Sequence, residues 1–178
     1  MTDDERRRAW QQAAAIARAG EWARWPGLPP GLTATEALAE LTGATTTPPP
    51  VASTLGRRTR ERVDAPPLHI WTDGPSVILV EWRDPPSATT MPELIAALGA
   101  PDREGAGRHL RSGATTTERV YAARGLALTV AESYDQPPGF APFAATVQLF
   151  APGTLRDFVL ELGGDDQPGP RVIDPRGR

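Results

Sequence analysis

Cysteine, lysine and asparagine are absent from this chain of 178 residues, and histidine occurs only twice. Without cysteine the fold has no disulfides and no thiolate metal ligands, so its apolar core must stabilise it. Long apolar runs are also missing, and none approaches the ~20 residues that a membrane-spanning helix needs. The start of the chain, Thr2–Glu5, is acidic where a secretory signal would be basic and then apolar. We therefore expect a cytoplasmic protein.

An excess of positive charge is missing as well. The chain has 19 basic and 22 acidic residues, for a net charge of −3. Nucleic-acid binding relies on a concentrated excess of basic side chains, so this class of partner is not expected, and neither is a membrane partner. Every basic residue is arginine, a bias that the codon usage of a GC-rich genome explains.

The chain does contain an internal repeat, with copies about 57 positions apart. Thr33–Leu41 matches Thr90–Leu98, and Thr59–Ala65 matches Thr116–Ala122. Each copy begins with a helix that has a threonine at its N-cap and a glycine after its end. A missed repeat misassigns the whole fold, so the duplication governs the predicted architecture.

Alternating apolar patterns follow the helix in each copy and predict a three-stranded meander. In the first copy, alternating Arg58, Arg60 and Arg62 predict a polar edge strand. Val77–Trp82 predicts a central strand, in which Trp82 shares its parity with Val80 and Ile78 and is favoured for the core. In each copy a loop is predicted between the helix and the meander, over Ala44–Ser53 in the first and Arg103–Gly113 in the second.

The predicted fold class is α+β: two tandem helix-plus-three-stranded-meander repeats form one curved antiparallel sheet backed by helices. An amphipathic helix is predicted at each end of the chain. The predicted segments are an N-terminal helix with a Trp- and Pro-rich connector (1–30), repeat 1 (31–86), repeat 2 (87–152), a C-terminal helix (153–163) and a flexible tail (164–178).

The copies differ at one hairpin. A tight Asp73-Gly74 turn in the first copy is replaced in the second by an insertion, Glu132–Phe143, rich in aromatic residues and proline. Aromatic side chains on a stiff loop are typical of protein interfaces, although they also serve as loop anchors in a core. The predicted partner-binding residues are Tyr134, Phe140, Phe143, Trp71 and Tyr121.

The second copy shows a family pattern most clearly, in Thr90–Pro101 followed by Tyr121–Leu128. This pattern resembles the SmpA/OmlA (BamE-type) module and, as a tandem, the β-lactamase-inhibitor-protein fold. The resemblance covers about 32–150 and implies a concave sheet whose face and loops bind another protein. Those families are exported and the inhibitors contain disulfides, whereas this chain has neither an export signal nor cysteine. Because of these two differences, we expect the partner to be intracellular.

Catalytic motifs are not found, and no cofactor or metal is predicted. His69 lies among apolar strand residues, which is typical of a hydrogen-bonded structural histidine. The leading hypothesis is a non-catalytic intracellular inhibitor or toxin-immunity protein whose partner is another protein. The alternative is a small-molecule binder or enzyme with a cavity between sheet and helices, for which His69 and Glu81 are the candidate polar groups.

Overall fold

The computed structural model describes residues 1–106, 115–132 and 143–162. Four α-helices and eight β-strands account for most of this part of the chain. The helices are α1 (Asp3–Ala19), α2 (Ala34–Thr42), α3 (Met91–Leu98) and α4 (Leu155–Leu162). The strands are β1 (Val51–Leu55), β2 (Arg58–Ala65), β3 (Leu68–Asp73), β4 (Ser76–Arg83), β5 (Arg103–Ala106), β6 (Thr115–Tyr121), β7 (Leu126–Glu132) and β8 (Phe143–Phe150).

The strands form one antiparallel sheet in the order β1-β2-β3-β4-β8-β7-β6-β5. The sheet is open, and β4 and β8 join its halves at the centre, with Trp82 opposite Val147. Each half repeats the order helix then four strands. The predicted α+β class, with a single sheet backed by helices, is confirmed.

Each repeat has one strand more than the sequence predicts. The predicted loop Ala44–Ser53 ends in β1, which begins at Val51, and the predicted loop Arg103–Gly113 begins with β5. Both strands pair at the outside of the sheet, so β2 is covered by β1 and is not the edge strand. Their local patterns are weak because β1 follows three prolines and β5 contains a glycine; pairing with a neighbouring strand stabilises them instead.

Local signals at the helix starts are confirmed in both copies. Thr33 and Thr90 accept hydrogen bonds from the backbone N–H groups of Glu36 and Glu93, and each glutamate accepts one in return. These reciprocal bonds satisfy backbone donors that the first helical turn leaves without partners. The same arrangement begins α1 at Thr2.

The main core lies between one face of the sheet and helices α1–α3. Trp22 and Trp82 meet edge to face there, with ring centroids 6.0 Å apart. Helix α1 contributes Trp10, whose indole N–H donates to the carbonyl of Glu36 at 3.1 Å. Ala13, Ala14 and Ala17 of the same helix are buried beside Trp10, so α1 forms part of the main core.

A β-bulge corrects one predicted facing. Trp82 and Val80 lie in the main core as predicted, but Ile78 packs on the other side of the sheet. Trp71 pairs with Leu79 while Thr72 pairs with Val77, so Ile78 is the extra residue on β4. One extra residue reverses the alternation beyond it, and single-sequence parity does not reveal where this happens.

Candidate protein-binding face

The face of the sheet opposite helices α1–α3, here called the open face, carries a row of polar side chains across its centre. Asp64, His69, Glu81 and Gln148 occupy successive positions of one cross-strand register. Each of them alternates with residues of the main core, which fixes its direction away from the helices. The row therefore crosses the join between the two repeats, where β4 meets β8.

The His69–Asp64 pair is the closest polar contact in this row. The His69 Nδ1 lies 2.6 Å from the Asp64 Oδ1. Arg62 donates to the same carboxylate at 2.9 Å. These hydrogen bonds, from Arg62 first and then His69, lower the pKa of Asp64 below its ordinary value. His69 is thus held in one orientation by a charged carboxylate, as expected for a hydrogen-bonded structural histidine.

The remaining arginines of the open face are also paired with carboxylates. Arg83 Nε lies 3.1 Å from a Glu81 oxygen, and an Arg103 amino group lies 2.6 Å from Glu118. Within the described residues no cluster of three metal-ligating side chains occurs. The face is consequently a mosaic of mutually neutralised charges, which favours recognition of a matching polar surface over capture of a free anion.

Helix α4 covers one end of the open face. Phe158 packs on Phe150 with ring centroids 4.8 Å apart, and the Arg103 guanidinium lies 5.6 Å from the Phe158 ring. Arg60, whose side chain is only 4% exposed, pairs with Glu161 at 2.7 Å and Asp73 at 2.6 Å. Two arginines of β2, Arg58 and Arg60, thus hold α4 in place. The sequence pattern predicts them instead as solvated residues of an edge strand.

The other end of the open face leads to two long connections of the second repeat. The start of β6, the end of β7 and the start of β8 lie together, because Thr115 pairs with Glu132 and Ala131 with Phe143. In the sequence, 107–114 precedes Thr115 and 133–142 separates Glu132 from Phe143; both segments lie outside the described residues. The predicted aromatic insertion therefore joins strands at the end of the face that α4 does not cover.

The five predicted partner-binding residues lie in different places in the structure, and some of them lie outside the described residues. Tyr134 and Phe140 lie outside the described residues, and only the backbone of Phe143, at the start of β8, is described. Trp71 does lie on the open face, but it is 7% exposed and is covered by the Arg62 guanidinium, 5.2 Å from its ring. Trp71 therefore packs beneath Arg62 and is not exposed for contact with a partner.

Tyr121 lies on the helical side of the sheet and belongs to the main core, with 4% of its surface exposed. Burial raises the pKa of its hydroxyl, and within the described part of the chain that oxygen has no hydrogen-bond partner. The prediction that Tyr121 contacts a partner is therefore corrected to a packing role. Its parity within β6 is opposite to that of Val120 and Glu118, which face the other way.

The space between sheet and helices, where the alternative hypothesis needs a cavity, is occupied by the main core. Leu32, Leu38, Leu68 and Leu126 are fully buried there. His69 and Glu81, the two candidate polar groups for such a cavity, lie on the opposite face of the sheet. The geometry that an enclosed catalytic or ligand site would need is therefore not assembled by these residues.

Sequence reasoning missed the polar row because cross-strand register depends on tertiary pairing. It also missed which face α4 covers, although the amphipathic pattern of α4 was visible. No protein-family model matches this chain, and neither a curated protein nor a solved structure matches it. Among the described residues, no helix combines the length and apolarity required to span a bilayer.

Proposed function

We propose that this chain is a non-catalytic protein-binding module, an inhibitor or toxin-immunity protein that masks its partner with the open face. The observation that carries the proposal is the two-sidedness of the sheet. One face is buried under three helices, whereas on the other the described residues bury a smaller cluster under α4, at one end of the face. The polar row from Asp64 to Gln148 lies outside that cluster and is only half-buried.

The chemistry of the uncovered part fits a protein partner. Side chains of Asp64, His69, Glu81 and Gln148 present donors and acceptors in a fixed row, and the ion pairs beside them limit the entropy lost on binding. Interfaces combine such polar contacts with aromatic residues. The segment 133–142 connects the strand ends of β7 and β8 on the side of the face that α4 leaves uncovered, and we propose that its aromatic residues supply the aromatic contacts.

Gln148→Arg tests the proposed face at its centre. Gln148 is half-buried between Glu81 and Ala127 in the register, and the introduced guanidinium can pair with the Glu81 carboxylate, so the fold should persist. Gln12→Arg, an identical change at an exposed position of α1, is the matched control. Both variants should keep the melting temperature within a few degrees.

The assay is affinity capture from the source organism, followed by titration of the captured protein against each variant. We expect Gln148→Arg to weaken binding at least tenfold and Gln12→Arg to leave it unchanged. Equal affinities for both variants would remove the open face from the proposal. Failure of the native protein to retain any partner at stoichiometric amounts would overturn the function itself.

A further inference from the structure

The two edges of the open sheet differ in their chemistry. Edge strand β5 carries Arg103 and Glu104, both ion-paired with residues of β6, and charged side chains discourage pairing with another strand. Edge strand β1 has the sequence Val-Ala-Ser-Thr-Leu, without charge or proline. In the described part of the chain no strand pairs with its outer side. An uncharged free edge is a template for a further strand.

An exposed apolar side chain lies on this edge strand. The large hydrophobic side chains exposed in the described residues are Met1, Val51 and Leu160. Val51 begins β1 and is 46% exposed; Leu160, 59% exposed, precedes Glu161 on α4. Because Glu161 pairs with Arg58 and Arg60 of β2, this part of α4 lies beside the β1–β2 hairpin. Val51 thus lies at the start of β1, whereas Leu160 lies on the helix that contacts the hairpin nearer the end of β1.

We propose that β1 pairs antiparallel with β1 of a second copy of this chain, about a two-fold axis at Ser53. In this register Ser53 faces its counterpart, Ala52 faces Thr54, and Val51 faces Leu55. The pairing is self-complementary, as a two-fold interface requires, and opposes no like charges. It continues the sheet from one copy into the next and uses a surface distinct from the proposed partner-binding face.

The expected dimer is weak. A contact of five residues per copy is much smaller than a standard interface, which buries about 1,200–2,000 Å² and uses about 20–30 residues on each side. We therefore expect a dissociation constant between about 10 µM and 1 mM, a range typical of small contacts. Sedimentation equilibrium of the full chain from about 5 µM to 2 mM should show the mass rising from 19.1 kDa towards twice that value.

A charge-swap pair tests the register. The side chains of Ala52 and Thr54 are exposed, so Ala52→Lys with Thr54→Lys, and Ala52→Glu with Thr54→Glu, should fold normally. Each double variant alone should stay monomeric, because like charges then oppose each other across the axis. An equimolar mixture should dimerise at least as well as the native chain, because each introduced ammonium faces an introduced carboxylate.

The matched control is Gln12→Lys with Ala15→Lys, two exposed positions on α1, which should dimerise like the native chain. Circular dichroism establishes that every variant is folded. A native chain that remains monomeric at 2 mM overturns the proposal. So does a lysine double variant that dimerises as the native chain does, or a mixture of the charged variants that stays monomeric.

Discussion

At the scale of the residue, Glu36 combines a helix cap with an ion pair between two helices. Its carboxylate accepts hydrogen bonds from Arg6 of α1 and from Thr33 at the start of α2. Burial alone would raise the pKa of Glu36, but these bonds outweigh it and lower the pKa to about 2, from 4.5. The charged form is therefore the one that stabilises the fold.

Glu36→Gln should lower the free energy of unfolding at pH 7 by ~1–2 kcal/mol, a discounted figure because the side chain is partly exposed. A lowered folded-state pKa gives stability that is present above pH 4.5 and lost as the pH falls towards 2. Urea denaturation of both proteins should therefore give a difference that shrinks over this range.

Glu93→Gln is the control for this pH dependence. Glu93 holds the equivalent capping position in α3, where Thr90 hydrogen bonds lower its pKa without an arginine. Its pH dependence should be smaller than that of Glu36→Gln. Equal pH profiles for the two variants would show that the helix cap alone, and not the Arg6 contact, causes the pH dependence of the free energy of unfolding.

Two substitutions of Tyr121 distinguish the contribution of its ring packing to stability from that of its hydroxyl. Because its buried hydroxyl lacks a partner among the described residues, Tyr121→Phe removes a desolvated polar group and should leave stability unchanged or slightly higher. Tyr121→Ala should cost ~3–5 kcal/mol through the cavity it creates in the main core. Thermal melts distinguish the two variants. A clear destabilisation by Tyr121→Phe would show that the hydroxyl makes a hydrogen bond and that Tyr121 does more than pack.

At the scale of the element, α4 should be the least tightly held of the four helices. It is short, and Phe158 is its only fully buried residue. Phe158→Ala should increase hydrogen exchange in α4 by ten- to a hundredfold, because its other contacts are only partly buried apolar side chains and the Glu161 pairs. Exchange in β4 and β8 should change little.

Leu160→Ala is the matched control, since Leu160 lies on the same helix with an exposed side chain. It should leave exchange in α4 nearly unchanged. If Phe158→Ala instead accelerates exchange throughout the sheet, α4 opens only with global unfolding, and its description as a separately docked helix is wrong.

Predictability also differs from element to element. The helix starts follow from residues three positions apart, so Thr33 and Glu36 suffice to place α2. Strand β1 and the bulge at Ile78 depend on partners far along the chain, which a local pattern does not contain. For the same reason the alternation around His69 predicted a strand but not the row shared with Asp64 and Gln148, and the amphipathic pattern of α4 did not indicate its face.

At the scale of the whole molecule, the N-terminal connector ties both repeats into one core. The Trp22 indole donates to the carbonyl of Pro86 at 2.8 Å, and the Trp25 indole donates to that of Gly125 at 3.1 Å. The backbone N–H of Leu28 donates to the carbonyl of Phe150. The main core accordingly contains residues from α1, the connector and both repeats, so neither repeat has a core of its own.

We therefore expect the two repeats to unfold together. Urea unfolding followed by tryptophan fluorescence and by far-ultraviolet circular dichroism should give coincident transitions, as a two-state process requires. Trp25→Phe keeps an aromatic side chain but removes the indole N–H bond to Gly125 and part of the buried ring, so it should lower the midpoint by the equivalent of ~1–3 kcal/mol without separating the two curves. Two resolved transitions in the native chain would show instead that the repeats are independent folding units. The shared core, the β4–β8 pairing and the connector would then not be strong enough to couple the unfolding of the two repeats.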